Sequence, residues 1–262
     1  MVLSGNFEDE IEYMKQYIGF FFFISILTIA CSPNNVKSDA NIVKILDSAK
    51  MKGCFALMEN GSAQFTITNL AMYKDSSYAP LTTFFAVPTL MALDRGYINN
   101  TPTSWAPIDS VAYYQAMIEK IGRTDLLKTI DSLHYGKGIV SKDLNTFWQD
   151  GSLLITLDEQ LGFVKKLYFK QLPFQKRSQD IYKKMILKED NTNYKLSYIY
   201  GTGENRSNSN WVIGYVEENM HPYFFVLYVT NQENGLPIDN GAKSVTVLKS
   251  ILSQQGFLKG LR

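Results

Sequence analysis

One stretch of this chain, residues 80–98, constrains the fold more than any other. It begins at a proline and ends close to a glycine, and the residues between them are apolar on nearly every side. A helix that is apolar all round lies inside a protein rather than on its surface. Threonine favours the N-cap of a helix, and glycine favours the C′ position just beyond its end. The stretch therefore predicts a buried central helix, with Thr82 or Thr83 as its N-cap and Gly96 at C′.

The segments on either side of this helix differ in their periodicity. Two strands joined by an Asn60-Gly61 turn precede it, and helical patterns and then further strands follow it. The predicted strands are 53–58, 64–70, 195–200, 211–216 and 223–230, and the later predicted helices are 110–121, 124–133, 157–169, 177–187 and 243–254. Strands at both ends with helices between them predict one α+β domain, whose N- and C-terminal strands pair in a single antiparallel sheet. Trp211 and Tyr215 fit a half-buried strand of that sheet.

The N-terminal part of the chain has a targeting pattern. A basic start at Met14-Lys15 precedes an apolar run that ends in Leu-Thr-Ile-Ala-Cys, with Cys31 as its last residue. The run is short for a membrane span and has the shape of a signal peptide. Its end resembles the lipobox of bacterial lipoproteins, which predicts lipid attachment at Cys31 and a membrane anchor. The alternative interpretation is a buried hydrophobic helix that happens to end in cysteine.

These features predict the organisation of the whole chain. Residues 1–31 are a leader and signal peptide, and the acidic residues before Met14 favour that methionine as the true start. We expect residues 32–45 to be a tether and residues 46–262 to form the domain. The predicted location is the bacterial cell envelope, where the protein is lipid-anchored on the periplasmic or outer-membrane face.

Composition excludes several classes of function. The net charge is +1 over 262 residues, and the basic residues are spread along the chain, so we expect no nucleic-acid partner. With Cys31 lipidated, only Cys54 remains in the folded part, which leaves no disulfide, and we expect no metal and no cofactor. Cys54 lies in an apolar strand, as a buried structural thiol does. A catalytic cysteine would need His134 or His221 as its partner, and neither lies in a motif.

Five motifs follow one another in a recognisable order between residues 53 and 258. They are Pro80-Leu81-Thr82-Thr83-Phe84-Phe85 leading into Leu93-Asp94-Arg95-Gly96-Tyr97-Ile98, Tyr114-Gln115, Tyr135-Gly136-Lys137, Phe147-Trp148-Gln149-Asp150-Gly151 with Glu159-Gln160, and Gly201-Thr202-Gly203 with Asn210-Trp211-Val212-Ile213-Gly214. The chain thereby resembles the class D β-lactamases and the related penicillin-binding sensor domains. The resemblance implies the β-lactamase and DD-peptidase fold and a site for β-lactam or D-Ala-D-Ala chemistry.

The chain departs from this family at the positions that carry its chemistry. Thr82 stands where the family has its nucleophilic serine, and Phe85 stands where it has the carbamylated lysine that acts as general base. In the Ser-x-Val motif, Asp109 replaces the serine and Val111 is retained. Ile199 replaces the lysine of Lys-Thr-Gly. Because acyl transfer needs a nucleophile and a base, the active-site motifs are degenerate.

The resemblance also assigns residues around the lost chemistry. Trp148, which shields the lysine in the family, is expected to pack against Phe85 as an aromatic pair. Gly201 and Thr202 correspond to the substrate-binding strand, and Lys243 lies about one position from the family's carboxylate-binding arginine. The loss of two cations and the gain of Asp109 disfavour an anionic substrate. Arg95, Lys137 or Lys243 would compensate only in part.

Three hypotheses follow from the sequence. The first is a lipid-anchored envelope protein of this fold that has lost catalysis and binds peptidoglycan fragments, β-lactams or a protein partner. The second is an active β-lactamase or acyl-transferring hydrolase that uses Thr82 as an altered nucleophile, with Asp109 as base. The third is a structural lipoprotein with another α+β fold.

Overall fold

A computed structural model describes residues 35–98, 111–138, 140–203, 208–232 and 241–260. The fold below is that of the unit Val36–Arg262. Its strands are β1 (Val36–Lys37), β2 (Met51–Glu59), β3 (Phe65–Ile67), β4 (Ser77–Tyr78), β5 (Lys137–Gly138), β6 (Leu153–Thr156), β7 (Leu187–Asp190), β8 (Lys195–Thr202), β9 (Ser209–Glu218) and β10 (His221–Asn231). Seven of them form one sheet in the order β1-β3-β2-β10-β9-β8-β7, and β4-β6-β5 form a small second sheet.

The N- and C-terminal strands pair in the main sheet, as the sequence predicts. β2 lies antiparallel to β10, with Met51 opposite Asn231 and Glu59 opposite Tyr223. β9 and β10 are central and covered on both faces, so their residues are almost all buried. Trp211 and Tyr215 are therefore 0% and 2% exposed, and the expected half-buried strand is wrong at this point. Both side chains are buried because helices cover both faces of the sheet.

The helices cover the two faces of the main sheet. They are α1 (Ala40–Ser48), α2 (Leu70–Asp75), α3 (Ala86–Asp94), α4 (Val111–Ile121), α5 (Arg123–Leu133), α6 (Leu157–Tyr168), α7 (Lys176–Ile186) and α8 (Ala242–Gln254). α1 and α8 form one core with the sheet, and α2 to α7 form the second, larger core on the other side. The mixed α and β architecture confirms the predicted fold class. Within the described ranges, no helix combines the length and apolar character needed to cross a membrane.

The folded part begins earlier than residue 46. β1 starts at Val36, and α1 starts at Ala40, where the side chain of Asp39 accepts a hydrogen bond from the amide of Asn41 at 2.8 Å. Ile42 of α1 is fully buried against the sheet. The predicted tether of residues 32–45 is therefore wrong from Val36 onward, because a short strand and a short amphipathic helix occupy that segment. Residues 1–34, including the predicted lipid site Cys31, lie outside the described residues.

The central helix is buried as predicted. A 3₁₀ helix, Leu81–Phe85, leads into α3, and every residue from 86 to 93 is buried. The helix ends in a Schellman motif, in which the amide of Gly96 donates to Leu93 and that of Tyr97 donates to Ala92. Gly96 has a φ of +67°, which confirms the predicted C′ glycine.

The predicted N-cap of this helix is wrong. Thr82 and Thr83 both lie within the 3₁₀ turn, and neither side chain caps a helix amide. The hydroxyl of Thr83 donates to the carbonyl of Pro80, and the hydroxyl of Thr82 accepts from a distant strand. The hydrogen-bond partners of these two hydroxyls depend on the folded structure and cannot be read from the neighbouring sequence.

Candidate functional site

The candidate site lies where the 3₁₀ helix packs directly on β8. The close approach is possible because residue 201 is glycine: a Cβ atom there would lie 2.6 Å from Cγ2 and 2.8 Å from the backbone nitrogen of Thr83. Such distances are too short for any side chain, so only glycine fits. Gly201 therefore brings the 3₁₀ helix and the end of β8 together.

Thr82 is bonded across this junction. Its Oγ1 atom accepts a hydrogen bond from the backbone amide of Thr202 at 2.9 Å, and its side chain is half-buried. Among the described residues, no Lys, His, Asp or Glu side chain forms a hydrogen bond with this hydroxyl. The amide of Thr202 is a donor of the kind that stabilises an oxyanion in acyl transfer. Here that donor is already bonded to the hydroxyl that would have to attack.

Leu81, the residue before Thr82, has an unusual backbone. Its φ is +54°, a conformation that costs a non-glycine residue free energy. It is held there by a hydrogen bond from its amide to the carbonyl of Trp148 at 2.9 Å and by the burial of its side chain. A strained backbone therefore lies directly beside Thr82.

Phe85 is core, at the position where the resemblance expects the general base. Its ring stacks on Tyr114 with centroids 4.0 Å apart, and it meets Trp148 edge-on at 5.2 Å. The predicted aromatic pair of Phe85 and Trp148 is therefore present. Among the described residues, no acceptor forms a hydrogen bond with the buried Nε1 of Trp148. The phenyl ring of Phe85 has no oxygen or nitrogen atom that could accept one. Three aromatic rings fill the space in which a base would work.

A buried polar pair holds the 3₁₀ helix to α6. Nε2 of Gln160 donates to the hydroxyl of Thr83 at 2.9 Å, and both residues are fully buried. Tyr135 is buried beside them, and this burial raises the pKa of its phenol. The neighbouring Glu159 forms a capping box with Thr156 at the start of α6. The Glu159-Gln160 motif thus has a structural role here, which its spacing alone did not reveal.

The other predicted site residues are distributed around this junction. Ile199 is half-buried on β8, two residues before Gly201, and Val111 is half-buried at the start of α4. Lys243 is exposed in the first turn of α8, next to Ser244, whose hydroxyl accepts from Asn210 at 3.1 Å. Because Asn210 pairs with Thr202, the first turn of α8, which includes Lys243, lies close to the candidate site. Asp109 lies outside the described residues.

The cations named as compensating charges are differently placed. The guanidinium of Arg95 forms an ion pair with Asp125 at 2.7 Å, so it is engaged elsewhere. Lys137 is exposed on β5, in the small second sheet. Across the part of the chain that the structure describes, no three His, Cys, Asp or Glu side chains are grouped so that they could hold a metal ion.

Comparison with known sequences places this geometry in context. No family model matches the chain. It is 26% identical over 234 residues to the regulatory protein BlaR1 of Bacillus licheniformis. The aligned region covers 80% of this chain and 38% of BlaR1. It is 30% identical over 149 residues to the probable β-lactamase YbxI of Bacillus subtilis, covering 57% of this chain and 53% of YbxI. The β-lactamase OXA-48 of Klebsiella pneumoniae is 25% identical over 222 residues, covering 76% of this chain and 82% of OXA-48.

Comparison with solved structures finds the same classes of protein as the sequence comparison. The C-terminal domain of the Bacillus licheniformis BlaR penicillin receptor superposes with a TM-score of 0.75 at 25% identity, covering 86% of this chain and 98% of that domain. The class D β-lactamase YbXI from Nostoc has a TM-score of 0.73 at 26% identity, covering 83% of this chain and 99% of the other. This chain is a homologue of the class D β-lactamases and of the BlaR1 penicillin-receptor domain, and it has their fold. It spans less than two thirds of the length of the first two relatives, BlaR1 and YbxI.

Proposed function

We propose that this protein is a catalytically inactive relative of the class D β-lactamases that acts by binding in the cell envelope. The observation that carries the proposal is the stack of Phe85 on Tyr114. A phenyl ring cannot take a proton from a hydroxyl, and its burial leaves no room for a replacement base at the same position. The family's base is thus replaced by packed hydrophobic core.

The state of Thr82 supports the same conclusion. Its hydroxyl oxygen accepts the amide hydrogen of Thr202, so the donor best placed to stabilise an oxyanion is occupied. The β-methyl group of threonine also crowds attack on a carbonyl. Ile199 offers no charge to a substrate carboxylate, and Arg95 is paired with Asp125.

The binding role is proposed from the relatives. BlaR is named a penicillin receptor, and its C-terminal domain has the same fold as this chain. A fold kept without its chemistry is expected to keep a recognition surface. We propose peptidoglycan fragments, β-lactams held without a covalent bond, or a protein partner as its ligands.

The envelope location is proposed from the N-terminal sequence. The apolar run and the residues before Cys31 are typical of a lipoprotein signal. Lipid on Cys31 would anchor the domain to a membrane, on the periplasmic or outer-membrane face. Globomycin, which blocks lipoprotein signal cleavage, should cause a larger precursor to accumulate.

Turnover of nitrocefin tests the loss of catalysis. Purified residues 32–262, the Thr82→Ala variant and purified OXA-48 as positive control are assayed side by side, with circular dichroism to establish folding. We expect no hydrolysis above the uncatalysed rate from either form of this protein. Hydrolysis by the wild type that Thr82→Ala removes would contradict the proposal.

A second function has one observation in its favour. The amide of Thr202 lies within hydrogen-bond distance of the Thr82 hydroxyl, and Leu81 keeps a strained backbone beside it. An acyl-transferring hydrolase with Thr82 as nucleophile would need both a hydroxyl and such a donor. The nitrocefin assay separates this function from the first.

A further inference from the structure

The N-terminal segment enters the folded domain at one edge of the main sheet, where its backbone is bonded from Val36 onward. Val36 pairs with Phe65 and Lys37 pairs with Thr66, so β1 forms the last strand at that edge. Asp39 follows at once as the N-cap of α1. Ile42, in the first turn of the helix, is buried to 0% exposure. The chain is thus packed against the domain from Val36 onward.

Further hydrogen bonds fix this junction to the end of α8. The carboxylate of Asp39 accepts from the side-chain amides of Gln254 at 3.2 Å and Gln255 at 2.7 Å. These bonds, with the amide of Asn41, hold the pKa of Asp39 below its usual value, since the bond from Asn41 outweighs partial burial. The start of α1 therefore cannot swing away from the sheet without breaking several bonds.

Few residues separate the proposed lipid site from this edge of the sheet. Five Cα-to-Cα steps separate Cys31 from Val36. Even fully extended, they span at most about 18 Å. A tether that ran to residue 45 would have allowed the domain to move freely far from the bilayer. With β1 paired in the sheet from Val36 onward, lipid on Cys31 would be joined to the domain by at most this length of chain, which would keep the β1 edge close to the bilayer.

The surface around this edge has the charge that suits such a position. Lys37 and Lys44 are exposed, and Val43 is 40% exposed on the outward side of α1. Of the two acidic residues between 36 and 52, Asp39 is bonded as above, and Asp47 accepts from Gln232 at 3.1 Å. The same segment has four lysines, so its net charge is positive. Lysines beside a bilayer are attracted to anionic headgroups.

We propose that the sheet edge formed by β1, with the outward side of α1, lies against an anionic membrane surface. This inference rests on the lipid anchor at Cys31 proposed above. β8 is five strand positions away from β1 in the sheet, and neighbouring strands lie about 4.8 Å apart, so the two strands are separated by roughly 24 Å. The candidate site around Thr82 is thereby held away from the membrane, where a ligand or partner in the surrounding space can reach it.

Energy transfer to the bilayer tests this orientation. Full-length lipidated protein carries a fluorophore at Ala40→Cys, near the junction, or at Lys195→Cys on β8. Both sites are exposed, whereas the natural Cys54 is buried and does not label in the folded protein. The protein is inserted into vesicles that contain anionic phospholipid and a headgroup-linked acceptor. We expect several-fold higher transfer from position 40 than from position 195.

A longer tether is the control. Inserting about 20 glycine and serine residues after Ser32 adds a flexible span of roughly 25 Å. Because the longer tether no longer orients the domain, we expect the difference in energy transfer between the labels at positions 40 and 195 to shrink. Equal transfer from both labels in a protein whose mass shows lipid on Cys31 would overturn the orientation and leave the anchor standing. A measured protein mass that lacks the lipid would overturn both the orientation and the anchor at Cys31.

Discussion

Phe85 is a core residue that packs against Tyr114 and Trp148, at the position where the resemblance expects a lysine. The hydroxyl of Thr82 is bonded to a residue distant in sequence. Its partner, the amide of Thr202, lies 120 residues away along the chain, so no local pattern could reveal that bond.

Restoring the family's lysine at position 85 should destabilise the fold rather than restore activity. Phe85→Lys would bury an ammonium group among aromatic rings, and we expect a loss of roughly 3 kcal/mol or more in the free energy of unfolding. Phe85→Met, which has similar length and no charge, should cost only about 1–2 kcal/mol. Urea denaturation measures both. If the two variants were equally stable, an unrecognised polar group would have to accommodate the charge.

Gly201 should be intolerant of even one added carbon atom. Gly201→Ala would force its Cβ into the backbone of Thr83, and we expect it to cost about 1–3 kcal/mol. Gly162 is the matched control, since no atom lies within 4 Å of a Cβ added there, within α6. Gly162→Ala should leave the protein as stable or stabilise it by up to about 1 kcal/mol. Thermal unfolding of the two variants compares them directly, and a harmless Gly201→Ala would mean that the junction is looser than described.

The sequence predicts the long helices well and the shortest helices and strands poorly. The long periodic segments α4 to α8 lie within two residues of their predicted bounds, because a sustained apolar pattern defines them. α1 and α2 went unpredicted, since nine and six residues give too few turns for a clear period. β6 and β7, with four residues each, went unpredicted for the same reason.

The N-cap of α1 offers a test of one short element. Asp39→Ala removes the side-chain acceptor and should cost about 1 kcal/mol, whereas Asp39→Asn keeps an acceptor and should cost less. The folded pKa of Asp39 is lowered, so its charge stabilises the protein above the unfolded value near 4 and this contribution is lost as the pH falls below it. Urea titrations at neutral and acid pH should show the Asp39→Ala penalty shrinking in acid. A penalty that is independent of pH would contradict the role of the charge.

Several tyrosines of the described part of the molecule are buried. Burial raises the pKa of Tyr215 and of Tyr228 to about 12, and it also raises the pKa values of Tyr135 and Tyr182. The unfolded chain loses these protons near pH 10, while the folded protein retains them. Stability is therefore complete below about pH 10 and falls as the pH rises above it.

This linkage predicts a steep alkaline transition. Each buried tyrosine should lower the free energy of unfolding by about 1.4 kcal/mol per pH unit above pH 10, until its folded pKa is reached. We expect tyrosinate absorbance from these groups to appear together with the loss of circular dichroism. Tyr215→Phe should reduce the slope by about one proton. If all 16 tyrosines ionised near pH 10 in the folded state, the burial described here would be wrong.

The overall architecture could be predicted because the order of five motifs carries it, even though the residues that perform the chemistry have changed. The close approach of the 3₁₀ helix to β8 could not, because it depends on the fit of Gly201 against Thr83 in the folded protein. The length of the tether is not predictable from the sequence for a related reason, since only packing shows that Ile42 belongs to the core.

Acylation by a β-lactam requires the Thr82 hydroxyl but not turnover, so it shows whether any reactivity remains at this site. The folded domain is incubated with benzylpenicillin in large excess and its intact mass is measured, with OXA-48 and the Thr82→Ala variant alongside. We predict that the mass of this protein does not change. A mass increase equal to one penicillin molecule that is absent from Thr82→Ala would show that Thr82 attacks the β-lactam and would contradict the proposed loss of catalysis.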